Sequence, residues 1–339
     1  MQHRFVSSQP FTLETGAVLE GVEIVYHTYG TLNADKSNVV WVCHALTANA
    51  DVEAWWPGLV GPNCAINPDD YFIVCANILG SCYGSTGPLS INPATGQPYY
   101  MSFPQLTIRD MVKAHILLRE HLDLPEIFLL MGGSMGGYQA LEWAIMEPNV
   151  VKRLFLIATA ASESAWGIAI HESQRLAIEA DPGWRDEDPK AGAAGLKAAR
   201  AIGMLTYRNY TAMRDQQREE DVNKIDHFRA ASYIRYQGEK LVSRFNAQCY
   251  WILTKAMDSH NIARHRAESE EKMLAQITQP SLVMGVSSDL LCPVAEQVKL
   301  ASHLPNAHYI EIDSNYGHDG FLVESMIIGE QLDHWIKNV

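Results

Sequence analysis

Ser134, Asp289 and His318 have the residue types and the chain order of a serine nucleophile with its acid and base. Ser134 stands in Gly132-Gly133-Ser134-Met135-Gly136, a G-x-S-x-G pattern. A serine hydroxyl is a weak nucleophile until a base takes its proton, and that base needs an orienting acid. On a sharp turn between strand and helix, the serine projects its Oγ from the sheet. The flanking glycines let strand and helix pass where a Cβ would collide. The helix start behind the serine offers free N–H groups to developing negative charge. In this arrangement the acid and then the base follow the serine, each on a loop after a strand. Two loops qualify by position: Ser287–Leu291 supplies Asp289, and Ser314–Gly320 supplies His318. Of 13 histidines, His115, His121, His171, His260 and His265 fall in helical stretches and read as surface or packing residues. His44 ends a strand and shapes the site. Asp313 is a rival acid, but it precedes His318 too closely to come from another strand end. Asp319 either faces a substrate or caps the final helix.

These residues must be carried by alternating strands and helices. Ile127–Met131 leads into the serine turn as a strand, and an apolar, helix-spaced run follows to Met146. Gly21–Tyr29, Asn38–His44, Tyr71–Ala76, Arg153–Thr159, Ser281–Val286 and Ala307–Ile312 read as strands. Thr107–Leu122 and Phe321–Val339 read as helices. The loop after Asn38–His44 holds the place from which α/β-hydrolases donate one oxyanion N–H, near Leu46, with Met135 as the second donor. Trp55 and Trp56 either line a pocket or pack their loop. The long Asn77–Gln97 loop is a candidate functional segment. From Ser162 to Thr278 the pattern is helical and polar-amphipathic. The fold class expected is α/β: an α/β-hydrolase fold with a mostly parallel, doubly wound sheet and an inserted helical lid. Residues 1–161 and 279–339 would form the core domain and 162–278 the lid.

Composition narrows the function. The chain has 339 residues, 47% of them hydrophobic, enough for a sizeable core. A net charge of −13 excludes general nucleic-acid binding. An anionic ligand would need a local cluster of Arg, Lys or backbone N–H groups. No apolar run reaches the length of a membrane span. The N-terminus has no apolar signal-peptide segment. Six scattered cysteines without a CxxC pair suggest neither a zinc site nor a disulfide framework, and fit a cytoplasmic enzyme with no metal.

The chain resembles the homoserine O-acetyltransferase family of α/β-hydrolase-fold acyltransferases. The matching segments run nearly end to end and include YHTYGTLNADKSN, CHALTANA, WWPGLVGP, NILGSCYGSTGP, FPQLTIRDMV, GGSMGGYQALEW, ARAIGMLTYRN, YIRYQGEKLVSRFNAQCY and GHDGFL. The resemblance implies Ser134 as nucleophile, Asp289 as acid and His318 as base. It implies that Arg200, with Tyr207 nearby, meets the substrate, that Asp319 holds the acceptor's amino group, and that Thr47 lies in the active site. For Arg200 the residues alone suggest only a solvated helix arginine. It further implies ping-pong transfer of an acetyl group from acetyl-CoA to L-homoserine in methionine biosynthesis. Acetyl-CoA would be a substrate, with no permanently bound cofactor, and the lid would mediate a homodimer. A succinyl donor, a serine acceptor, a serine esterase and a catalytically silent binding protein are the alternatives. Tyr138 stands where the family more often carries Met, and is expected to border the acyl or acceptor pocket.

Overall fold

The computed structural model describes residues 1–339. Its strands are β1 (Gln2–Val6), β2 (Phe11–Thr12), β3 (Val18–Leu19), β4 (Glu23–Tyr29), β5 (Val39–Cys43), β6 (Phe72–Ala76), β7 (Leu129–Gly133), β8 (Leu154–Ile157), β9 (Ser281–Val286) and β10 (Ala307–Ile312). Its α-helices are α1 (Val52–Trp55), α2 (Ile108–His121), α3 (Met135–Met146), α4 (Ala165–Glu179), α5 (Ala193–Tyr207), α6 (Tyr210–Gln217), α7 (Arg229–Val242), α8 (Ala247–Asp258), α9 (Glu270–Leu274), α10 (Val294–His303), α11 (Gly320–Val323) and α12 (Ser325–Ile336).

Eight strands form one sheet in the order β1-β4-β6-β5-β7-β8-β9-β10. β4 pairs antiparallel with β1 and β6. From β6 to β10 every neighbour is parallel. All five residues of β5 are buried, as expected of a strand covered on both faces. Val39, Trp41 and Cys43 join one apolar cluster while Val40 and Val42 join the other, the period-two consequence of strand geometry. α2, α3 and α10 contribute to the first cluster, α1 and α12 to the second. After β5 the chain adds β6 on one side, then returns to the other side as β7. The carboxyl ends of β5 and β7 therefore flank a topological switch point, where open α/β sheets hold their ligands.

No strand lies between Ile157 and Ser281; α4 to α9 fill the interval. The helical block leaves and rejoins side by side. Ser162 bridges Asn261, Glu163 N–H donates to the His260 carbonyl at 3.0 Å, and Ile262 N–H donates to the Ala161 carbonyl at 3.1 Å. α4 packs on α5, and α5 on α7. On the return side, α9 already packs on α10 before Thr278 is reached, and Glu270 accepts from Ser162 Oγ at 2.6 Å and from Lys299 at 2.8 Å. Trp184, Leu196, Leu241 and Leu253 of the block share one apolar cluster with Trp41 and Trp143 of the sheet region. The block is thus fused to the core by continuous packing.

Local signals explain several helix starts. Thr107 and Asp110 form a capping box at α2, with Asp110 N–H donating to Thr107 Oγ1 at 3.3 Å and Thr107 N–H to Asp110 Oδ2 at 3.0 Å. Ser164 caps α4 and Asn246 caps α8. One expectation needs correction. Phe321–Val339 is not one helix, because the chain breaks at Glu324 between α11 and α12. The break lets Phe321 turn in against His318 and Trp56 while Ile328, Leu332 and Trp335 cover the sheet. The first twenty residues also contribute β1 and the β2–β3 ribbon, strands set by pairing with β4 and with each other.

Candidate active site

Ser134 sits between β7 and α3 with φ 55° and ψ −129°, a strained conformation for a residue with a side chain. The strain is held from several sides. Ser134 N–H donates to the Ile157 carbonyl at 3.0 Å. Its own carbonyl accepts from Thr159 Oγ1 at 2.8 Å, and Gln297 Nε2 donates to the Thr159 carbonyl at 2.7 Å. The glycines are required sterically. A Cβ on Gly136 would lie 2.1 Å from the Cys43 carbonyl oxygen, and one on Gly132 would lie 2.2 Å from the Gly136 oxygen.

The three expected side chains meet. Ser134 Oγ lies 2.9 Å from His318 Nε2, and His318 Nδ1 lies 2.7 Å from Asp289 Oδ2. All three residues are buried. Asp289 Oδ1 accepts from the N–H groups of Leu291 and Cys292 at 2.8 and 2.9 Å, which fixes the carboxylate plane. These contacts define one tautomer: Nδ1–H donates to Asp289, leaving Nε2 to accept from Ser134 Oγ–H. Burial pulls the His318 pKa down, but the Asp289 charge and hydrogen bond outweigh it and leave it above the ordinary histidine value. Asp313 does not compete; it is exposed and accepts from Ser287 Oγ at 3.1 Å.

The loop after β5 lies beside the serine. The N–H groups of Leu46 and Met135 have no acceptor within the protein. His44 is fully buried and frames this loop: its Nδ1–H donates to the Ala45 carbonyl at 2.9 Å, and its Nε2 accepts from Ile78 N–H at 3.2 Å. Burial lowers its pKa to about 4, so the ring is neutral at pH 7. Gln139 Nε2 ties α3 to the same loop through the His44 carbonyl at 3.1 Å.

A cavity of about 430 Å³ opens onto the serine, lined by Leu46, Thr47, Ser134, Arg200, Tyr207, His318 and Asp319 among others. The guanidinium of Arg200 lies 5.1 Å over the Tyr207 ring and has no carboxylate partner. Asp319 makes no cap at α11; its Oδ2 lies 3.1 Å from Arg208 Nε. Burial raises the Asp319 pKa against the pull of Arg208 and Arg200. Trp55 lines the cavity and donates to the Asn49 carbonyl at 2.8 Å, whereas Trp56 is buried and donates to the Phe321 carbonyl at 2.9 Å. The Asn77–Gln97 loop buttresses rather than lines. Asn77 Oδ1 accepts from Ala50 N–H at 2.7 Å, and Ser85 Oγ donates to the Asn77 carbonyl at 2.6 Å.

Tyr138 does not border the cavity. It is buried, stacked on His260 with ring centroids 4.1 Å apart, and its hydroxyl donates to Glu163 at 3.1 Å. One turn past the serine, its side chain leaves α3 toward the stem of the helical block. Arg208, Lys240 and Arg244 reach the site although sequence reasoning gave them no role. All three lay in the quoted segments, but Arg244 sits in the turn after α7 ends at Val242, so helix spacing does not bring it beside Lys240.

A sequence model described as alpha/beta hydrolase fold matches residues 38–325, which sets the class of protein. Homoserine O-acetyltransferase from Cyclobacterium marinum is 46% identical over 338 residues, covering 99% of this chain and 94% of that one. The chain therefore belongs to the homoserine O-acetyltransferase family within that class. The crystal structure of homoserine O-acetyltransferase from Bacillus anthracis superposes with a TM-score of 0.91 at 25% identity, covering 99% and 97% of the two chains. Esterase E22 shares the fold, with a TM-score of 0.90 at 24% identity and 99% coverage of each chain.

Proposed function

We propose that this protein transfers an acetyl group from acetyl-CoA to the hydroxyl of L-homoserine through an acetyl-Ser134 intermediate. The observation that carries the reading is the Ser134–His318–Asp289 relay opening into the cavity that also holds the unpaired Arg200. His318 Nε2 takes the Oγ proton as Oγ attacks the thioester carbonyl. The oxyanion is held by the N–H groups of Leu46 and Met135, and Asp289 stabilises the imidazolium. The C–S bond breaks, the thiol leaves with the His318 proton, and acetyl-Ser134 remains. Homoserine then enters. Arg200, backed by Tyr207, pairs with its α-carboxylate, and Asp319 meets its α-ammonium. His318 takes the acceptor hydroxyl proton, the oxygen attacks the acyl-serine, and the collapsing intermediate returns the proton to Ser134. Thr47 completes the loop wall. The helical block 162–278 acts as a lid on the core of 1–161 and 279–339 and limits competing water.

Labelled acetyl-CoA should leave label on wild-type protein and none on Ser134→Ala. Thiol release should depend on homoserine well above its rate in water. Equal release with and without homoserine would favour the esterase reading. Acetyl- and succinyl-CoA, each assayed against homoserine and serine, decide the substrates.

Two further readings accompany this one. Leu205, Tyr210, Val222, Ile225, Phe228 and Tyr236 are exposed on the lid, which supports a homodimer formed through it. Six free cysteines support a cytoplasmic setting, and no helix is long and apolar enough to cross a membrane.

A further inference from the structure

The cavity carries the opposite charge to the chain around it. Against a net charge of −13, its lining holds Arg200, Lys240 and Arg244 with one acid, Asp319. That acid is engaged by Arg208 at 3.1 Å. Lys240 lies in the last turn of α7 and Arg244 four residues on, and both are exposed. Glu239, beside Lys240, is held by Lys197 at 2.6 Å, so the Lys240 ammonium has no carboxylate partner. Arg244 is oriented by neutral acceptors only. Its Nη1 donates to the Thr47 carbonyl at 2.5 Å and to the Tyr83 hydroxyl at 2.7 Å. Its direction is set and its charge is uncompensated.

Homoserine brings one carboxylate, which Arg200 meets, and an acetyl thioester brings no charge at its reacting end. Two cations at the exposed side of the same cavity therefore match a second anion on a substrate that shares it. We propose that Lys240 and Arg244 form a phosphate subsite at the cavity mouth, which takes the phosphorylated nucleotide end of the acyl thioester donor. The subsite rests on the reading of function given above. The guanidinium offers planar, paired N–H donors and the ammonium a compact point charge, the two usual ways of holding phosphate. In an acidic protein, such a local positive mouth also steers a polyanionic donor to the one opening that leads to Ser134. Arg244 adds a link, because the Thr47 carbonyl it holds follows Leu46 in the loop beside the serine. A phosphate on Arg244 would stiffen that loop as the donor docks.

The test compares kcat/KM for acetyl transfer to homoserine from acetyl-CoA and from S-acetyl-N-acetylcysteamine, a thioester with no phosphate. Lys240 is exposed, so its variants should fold. Lys240→Gln should narrow the ratio of the two donors by roughly tenfold, the scale of one charge-assisted contact. The change should fall on KM for acetyl-CoA and leave KM for homoserine in place. Lys240→Glu should narrow the ratio further, and Lys240→Arg should restore it. Raising ionic strength should compress the wild-type ratio. An unchanged ratio in Lys240→Gln and Lys240→Glu, with homoserine-dependent thiol release intact, overturns the subsite and leaves the proposed function standing. Absence of homoserine-dependent thiol release from either donor in wild type overturns that function, and the subsite with it.

Discussion

At the scale of single residues, the chemistry depends on one proton path. Ser134→Ala removes the proposed nucleophile, and turnover should fall by roughly 10⁶-fold with no labelled acyl-protein, as seen by intact mass. His318 acts as a base only when neutral. Because Asp289 holds its pKa above the ordinary value, the acid limb of the rate profile should lie above pH 6.5, with activity rising as pH rises through it. Asp289→Asn removes the raising charge while burial still lowers the pKa. The limb should move to lower pH, and kcat should drop by roughly 10⁴-fold because the tautomer is no longer enforced. Arg200→Lys keeps the charge and loses the paired geometry. KM for homoserine should rise by about tenfold or more with little change for acetyl-CoA, as initial-rate kinetics would read.

At the scale of elements, the site depends on close backbone approaches. α3 can start where it does only because β5 passes within contact of Gly136. Gly136→Ala should cost on the order of 3 kcal/mol in denaturant unfolding, since its Cβ meets fixed backbone rather than a movable side chain. Gly317 joins the His318 turn to the helical block. It has φ +65°, and an added Cβ would lie 2.8 Å from the Tyr207 carbonyl and 2.9 Å from Asn209 N. Gly317→Ala should therefore displace His318 and α5 from each other. Activity should fall by at least about 100-fold while most of the far-UV circular dichroism survives; unaltered kinetics would show that the helical block and His318 are not coupled here.

At the scale of the whole molecule, burial of neutral imidazoles links stability to pH. Burial lowers the pKa of His44 and His115 to about 4 and of His260 to about 3. Unfolded, each takes a proton near pH 6.5. As pH falls from 6.5 toward 4, the unfolded chain binds protons that the folded chain refuses, so stability falls across that window. The melting temperature should drop by at least about 5 °C between pH 7 and pH 5 in calorimetry. The helical block offers a second test at this scale. Val222 and Ile225 are 92% and 93% exposed; in the proposed dimer Ile225→Asp should lower the molecular mass found by light scattering to that of one chain of 37.8 kDa, and a wild-type mass already at that value overturns the dimer.

Local pattern alone carried much of this protein. The G-x-S-x-G turn, the buried runs of β5 to β9 and the order Ser134, Asp289, His318 are periodicity and steric demand written into neighbouring residues. Pairing at long range was not written there. Gln2–Val6 becomes a strand only because β4 lies beside it, and the closing helix breaks at Glu324 because Phe321 is drawn toward His318. Tyr138 looked like a pocket residue from its place after the serine, yet α3 turns it toward His260 and Glu163. Asp319 could have capped a helix or faced a ligand; the structure gives it no cap bond and places it on the cavity wall beside Arg208 of the helical block. Sequence thus determined which groups could do chemistry and on which kind of element. The tertiary structure decided which cations meet in one cavity, because Arg200, Lys240 and Arg244 share that space through packing of the helical block that no local spacing encodes.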